Sequence, residues 1–142
     1  MKNILYKVKM RLHANKATPT PPVGSALGGK KINIVKFCNE FNKRSIKCDS
    51  NLLYPVKINI FDDGSFEFII NEPETMYLIK KVTGLEKASS NPSNKLIGFI
   101  NVLNLNRISL IKKRQIKLSC LTGVKKMIVG TAKSMGIEID TL

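Results

Sequence analysis

Between Gly130 and Gly136 the chain reads Gly-Thr-Ala-Lys-Ser-Met-Gly. Small hydroxyls exchange hydrogen bonds with sugar and phosphate oxygens, and a lysine neutralises a phosphate. Glycine leaves a backbone open to close approach. This is chemistry for holding a polyanion rather than for breaking a bond. The segment ends a helical pattern that runs through Leu121, Val124, Ile128 and Ala132 to Met135. Lys126, Gly130 and Lys133/Ser134 recur along it at i, i+4 and i+7/i+8, on a face roughly opposite Val124, Ile128 and Ala132. A solvated lysine face accounts for the lysines but not for the glycine, which costs about 0.5–1 kcal/mol relative to alanine in a helix. A partner lying against the backbone accounts for Gly130, with Thr131 and Ser134 bonding a sugar or phosphate.

Further cations surround this segment. Lys80 and Lys81 end an earlier helix, where the dipole alone explains cations. Lys87 and Lys95 lie in a polar loop, and Lys112, Lys113 and Arg114 follow. Tyr77 and Phe99 are the aromatics of this half, too few for base stacking along a single strand. A compact RNA recognised by shape fits better.

Other candidate chemistry falls away. Gly24 to Lys31 has the glycine and lysine spacing of a nucleotide phosphate loop, but Lys31 stands where a magnesium-binding hydroxyl belongs. The element before it is a proline loop rather than a buried strand. Asp62-Asp63 suits a turn. Cys38, Cys48 and Cys120 form neither a disulfide framework nor a zinc site, and His13 has no evident partner. No catalytic set, metal site or cofactor site is expected, and the chain reads as a non-enzyme.

The chain has 142 residues with 24 Lys+Arg against 10 Asp+Glu, a net charge of +14. That excess suits a nucleic acid or an anionic membrane surface. AT-rich coding inflates lysine but does not explain so few acids. No apolar run reaches the ~20 residues of a membrane span. The first strand pattern begins within the first four residues, leaving no room for a presequence.

Ile4, Tyr6, Val8, Met10 and Leu12 alternate with polar and basic neighbours, which predicts a half-buried strand. Pro19, Pro21 and Pro22 make a stiff extended loop, read first as a connector. A short turn over Gly24 to Lys31 and a helix capped by Asn33 follow, with Ile34, Phe37, Cys38 and Phe41 on one side. Val56, Ile58 and Ile60, then Asp63-Gly64, then Phe66, Phe68 and Ile70 predict a hairpin. Beyond Asn71 to Pro73 the pattern turns helical. One helix starts with Pro73 and Glu74 and stops at Gly84; a second covers about Asn104 to Arg114; a third is capped by Ser119. The expected fold is an α+β domain over residues 1–71, a small antiparallel sheet with helices and a proline-rich loop, followed by an all-α three-helix domain over residues 72–142.

Several motifs run in a familiar order. They are the proline segment with Val23-Gly24-Ser25-Ala26-Leu27-Gly28, Asn33-Ile34, Phe37-Cys38-x-x-Phe41-Asn42, Tyr54-Pro55-Val56 and Phe66-x-Phe68. Leu78-x-Lys80-Lys81, Gly84-Leu85-Glu86-Lys87 and the terminal Gly-Thr-Ala-Lys-Ser-Met-Gly-Ile complete the set. Over nearly its whole length the chain resembles universal large-subunit ribosomal protein eleven, the stalk-base protein. The resemblance implies that the carboxy-terminal domain binds large-subunit rRNA at the GTPase-associated centre. Gly130, Thr131 and Ser134 would lie against RNA, and the loop Leu85 to Gly98 would order on binding. The amino-terminal domain would pack loosely over the RNA, and Pro19, Pro21 and Pro22 would face translational GTPases, overriding the connector reading. Ribosomal stalk proteins are further implied partners, and the resemblance also implies that the amino-terminal domain lines the cleft used by thiopeptide antibiotics and contributes to stringent-response signalling on bacterial ribosomes.

The chain departs from the family in places. Ser25 replaces a usual proline and Thr18 a usual asparagine. Asn39 stands where bacterial members often carry a methylated lysine. One residue is added between Lys95 and Leu105, and Lys112 to Ser119 is unusually basic, a candidate for extra RNA contact. The Lys/Asn/Ile-rich composition and the early first strand point to an organelle-encoded protein, first a mitochondrial one, with a plastid or an AT-rich bacterium as alternatives. The competing readings are an RNA-modifying enzyme and a basic membrane-surface protein.

Overall fold

Alternation builds the first sheet. In a computed structural model, which describes residues 2–116 and 120–140, strands β1 (Ile4–His13), β2 (Leu53–Phe61) and β3 (Phe66–Ile70) pair antiparallel in that order. The central strand buries every second residue: Tyr54, Val56, Ile58 and Ile60. Asp63 closes the β2–β3 turn by accepting the Ser65 N–H at 2.9 Å, and Gly64 supplies φ +76°. β1 keeps its expected alternation only at one end. Leu12 is buried and Val8 and Met10 half-buried, but Ile4 and Tyr6 stay exposed.

Helices α1 (Val23–Leu27) and α2 (Ile34–Arg44) complete this unit. Asn33 caps α2 as its type predicts, its Oδ1 accepting the Lys36 N–H at 3.0 Å. Phe37, Cys38 and Phe41 are buried in a core with Leu12, Val23, Leu27 and the inner face of β2. Phe37 meets Phe68 edge-on with ring centres 5.3 Å apart. Burying side chains of this size contributes about 1.5–3 kcal/mol each.

The chain divides into two compact units, residues 1–73 and 74–142. The second holds α3 (Thr75–Thr83), β4 (Gly98–Asn101), α4 (Val102–Gln115), α5 (Leu121–Ser134) and β5 (Ile137–Asp140). Its buried residues include Ile79, Ile100, Ile108, Val124, Ile128, Ala132 and Ile137.

This unit differs from the sequence reading at several points. It is not all-α, since β4 and β5 pair in parallel, Gly98 opposite Ile137 and Asn101 opposite Asp140. Four-residue strands are too short to display a period of two, and their partners are distant in sequence. α3 begins after Pro73, because Glu74 is extended at φ −61° and ψ 148° and acts as the cap residue. Gly84 ends α3 with φ 71°. α4 starts earlier than Asn104, because Asn101 accepts the Asn104 N–H at 2.8 Å and caps the helix there. The cap expected at Ser119 lies outside the described residues. Cys120 stands as the cap residue, next to Leu121. Among the described residues no helix is long and apolar enough to cross a membrane.

Candidate nucleic-acid interface

Helix α5 turns Val124, Ile128 and Ala132 inward and leaves Lys126, Gly130, Lys133 and Ser134 exposed, with Thr131 half-buried. A Cβ built on Gly130 would have nothing within 4 Å. The fold of the described residues therefore sets no packing demand for glycine at this position. Gly123, seven residues earlier on the same face, is equally open, and Met127 between them is 51% exposed. Sequence reading missed Gly123 and Met127, although the spacing 123, 127, 130, 134 was there to be counted.

The hydroxyls are already partly committed. Thr131 Oγ1 donates to the Met127 carbonyl at 3.1 Å, and Ser134 Oγ donates to the Thr131 carbonyl at 2.7 Å. Their lone pairs remain for a donor such as a ribose 2′-hydroxyl. Donation to a phosphate would require rotation away from the helix carbonyls.

The loop after α3 is tied to the end of α5. Ser89 N–H donates to the Met135 carbonyl at 2.9 Å, and Ile97 N–H to the Gly136 carbonyl at 2.8 Å. Ser89 Oγ donates to the Lys95 carbonyl at 2.9 Å. Gly136 has φ +77°, and a Cβ there would stand 2.6 Å from Ser89 Cβ. This glycine is demanded by the fold itself, unlike Gly130.

That anchoring brings predicted residues together. Lys133 and Ser134 share a cleft with Pro92, Ser93 and Leu96 of the loop. Lys87 and Lys95 share a hollow with Leu85, Ser89 and Ile97. Lys80 reaches the same loop, its Nζ donating to the Glu86 carbonyl at 3.0 Å, and Lys81 is exposed beside it on α3. None of α3, α4 and α5 contains an acidic residue. A surface where cations predominate attracts phosphates at a distance. Lys112 breaks the pattern expected for the basic segment: it is 6% exposed, and its Nζ donates to Gln115 Oε1 at 3.1 Å. It lies on the buried side of α4 with Leu105, Ile108 and Ser109, which its sequence neighbours gave no reason to expect.

Pro19, Pro21 and Pro22 are exposed in the first unit. Asn42 of α2 accepts the Ala17 N–H and donates to the Ala17 carbonyl, both at 3.0 Å. A Cβ on Gly24 would lie 2.3 Å from the Pro19 carbonyl oxygen, so only glycine lets α1 sit under the loop. Lys30, the lysine of the apparent phosphate loop, donates to the Ala26 carbonyl at 2.7 Å. That contact ties the lysine back to α1.

Two family models match the chain in sequence order. The one described as ribosomal protein L11, N-terminal domain, matches residues 8–66. The one described as ribosomal protein L11, RNA binding domain, matches residues 71–139.

Proposed function

The chain belongs to the ribosomal protein L11 family, and from that footing we propose that it binds large-subunit rRNA at the GTPase-associated centre and forms the stalk base used by translational GTPases. As a family member it is a large-subunit ribosomal protein with an RNA-binding domain. In this reading the RNA lies along α5 over Gly130, with Thr131 and Ser134 against sugars. Lys80, Lys81, Lys87, Lys95, Lys126 and Lys133 neutralise phosphates around it. The role is structural, with no reaction catalysed. The observation that carries the reading is the open glycine at 130, in a helix where alanine would be better by about 0.5–1 kcal/mol.

The first unit, with Pro19, Pro21 and Pro22, forms the factor-facing part, next to ribosomal stalk proteins. A pre-set proline loop loses little entropy when a factor docks. The site of action is an organellar large subunit, first a mitochondrial one. The Lys/Asn/Ile-rich composition supports this.

The test is binding of the full chain to the folded GTPase-centre rRNA fragment of the same source, titrated across salt, with Gly130→Val alongside. Tight, salt-sensitive binding that the valine variant loses is the expected result. Equal affinity for a scrambled RNA would overturn the reading.

A further inference from the structure

Helix α4 carries a second surface, outside the set of residues that the proposed function places against RNA. Its buried side holds Leu105, Ile108, Ser109 and Lys112. On the opposite side, Leu103, Arg107, Leu110 and Arg114 follow each other at intervals of four, three and four, one straight line down an α-helix. Leu103 is 69% exposed and Leu110 55%. Val102 and Phe99, just before them, are exposed as well. A helix that is apolar on both sides is normally covered on both sides, and a grouped set of exposed large apolar residues marks an interaction surface.

The spacing and charge define the occupant. Leucine and arginine alternate along a seam with the 4-3 repeat by which two helices pack side by side, leucine at one seam position and arginine at the other. Nucleic acid would match the arginines but leave Leu103 and Leu110 facing a polar backbone. A hydrophobic helix would match the leucines but leave Arg107 and Arg114 buried without counter-charge, which is costly. The helix contains no acid of its own to pair with them. We infer that the outer face of α4 docks an acidic amphipathic helix of another protein of the ribosomal subunit, apolar residues against Leu103 and Leu110 and carboxylates against Arg107 and Arg114. The face is opposite the buried side of α4 and includes none of the α5 residues, so this partner and an RNA on α5 do not compete for the same side chains.

The experiment places a photo-reactive benzophenone side chain at Leu103 or Leu110 of the full chain, assembled into its large subunit, and identifies the adduct by mass spectrometry. The expected adduct is a protein segment of net negative charge with apolar residues at helical spacing. Adding Arg107→Glu with Arg114→Glu, both at exposed positions, should lower its yield about tenfold, because like charges across an interface repel. Adducts on rRNA, adducts on a basic or neutral segment, no adduct, or a yield indifferent to the charge reversal would each overturn the inference. The same label at Lys126 reports on the RNA face separately, so the failure of either reading is visible on its own.

Discussion

Asn42 and Ala17 are joined twice: the side-chain amide of Asn42 accepts the Ala17 N–H and donates to the Ala17 carbonyl, each at 3.0 Å. Ala17 is buried, so the pair replaces water for both of its backbone groups. It fastens the start of the proline loop to α2, and the Gly24 N–H, donating to the Thr20 carbonyl at 3.2 Å, fastens its end to α1.

Asn42→Ala removes both bonds and leaves a buried donor and acceptor unpaired, each worth about 1–3 kcal/mol. We expect a loss of at least about 2 kcal/mol in thermal or urea unfolding. The Ala17 amide should lose protection from hydrogen exchange even where the variant remains folded. Unchanged protection at Ala17 would mean that the loop is held by something else.

The glycines of α5 and its following turn should respond in opposite directions. Gly130→Ala meets open space and gains helix propensity, so stability should rise by about 0.5–1 kcal/mol. Its affinity for the folded rRNA fragment should nevertheless fall. Gly136→Ala forces a side chain into a left-handed backbone against Ser89, and should cost about 1–3 kcal/mol. Melting curves and RNA titrations on the same two variants decide this. A Gly130→Ala protein that is both more stable and equally tight on RNA would remove the argument from the open glycine.

Each lysine that contacts a phosphate should contribute to the salt dependence. Replacing Lys126 or Lys133 by Gln should reduce the slope of log affinity against log salt by about 0.7–0.9. The same change at Lys112, which is buried against Gln115, should leave the slope unchanged and act on stability instead. A full slope change from Lys112→Gln would show that its ammonium reaches the RNA.

The thiols should label in a definite order. A hydrogen bond with Thr122 at 3.1 Å, helped by the N–H groups of Gly123 and Thr122, pulls the exposed Cys120 thiol below its ordinary value. Burial pushes the Cys38 thiol up. The thiolate is the reactive form, so Cys120 should react first with a maleimide and Cys38 last. The pH midpoint for Cys120 should lie below that for Cys38. Faster labelling of Cys38 would mean that the core around α2 opens readily.

Local chemistry was legible wherever a residue's neighbours in sequence are also its neighbours in space. Asn33 as a cap, Asp63-Gly64 as a hairpin turn and the alternation of Val56, Ile58 and Ile60 belong to this class, as does the inward side of α5. The ordered motifs from the proline segment to the terminal glycines likewise identified the family, and both family models match.

The remainder depends on what stands opposite a residue across the fold. Gly130 and Gly136 look alike in the chain, yet one faces empty space and the other the Cβ of Ser89. Lys112 and Lys113 are adjacent, yet one is buried and the other exposed. β4 and β5 carry no local signal, because four residues cannot establish a period and their hydrogen bonds go to a distant segment. The outward line of Leu103, Arg107, Leu110 and Arg114 acquired meaning only once the buried side of α4 was known. Sequence by itself determined the longer elements and the family, since short-range sterics and hydrogen bonding act within a few residues. Tertiary structure decided which side of each element faces solvent, because burial is a property of two surfaces meeting.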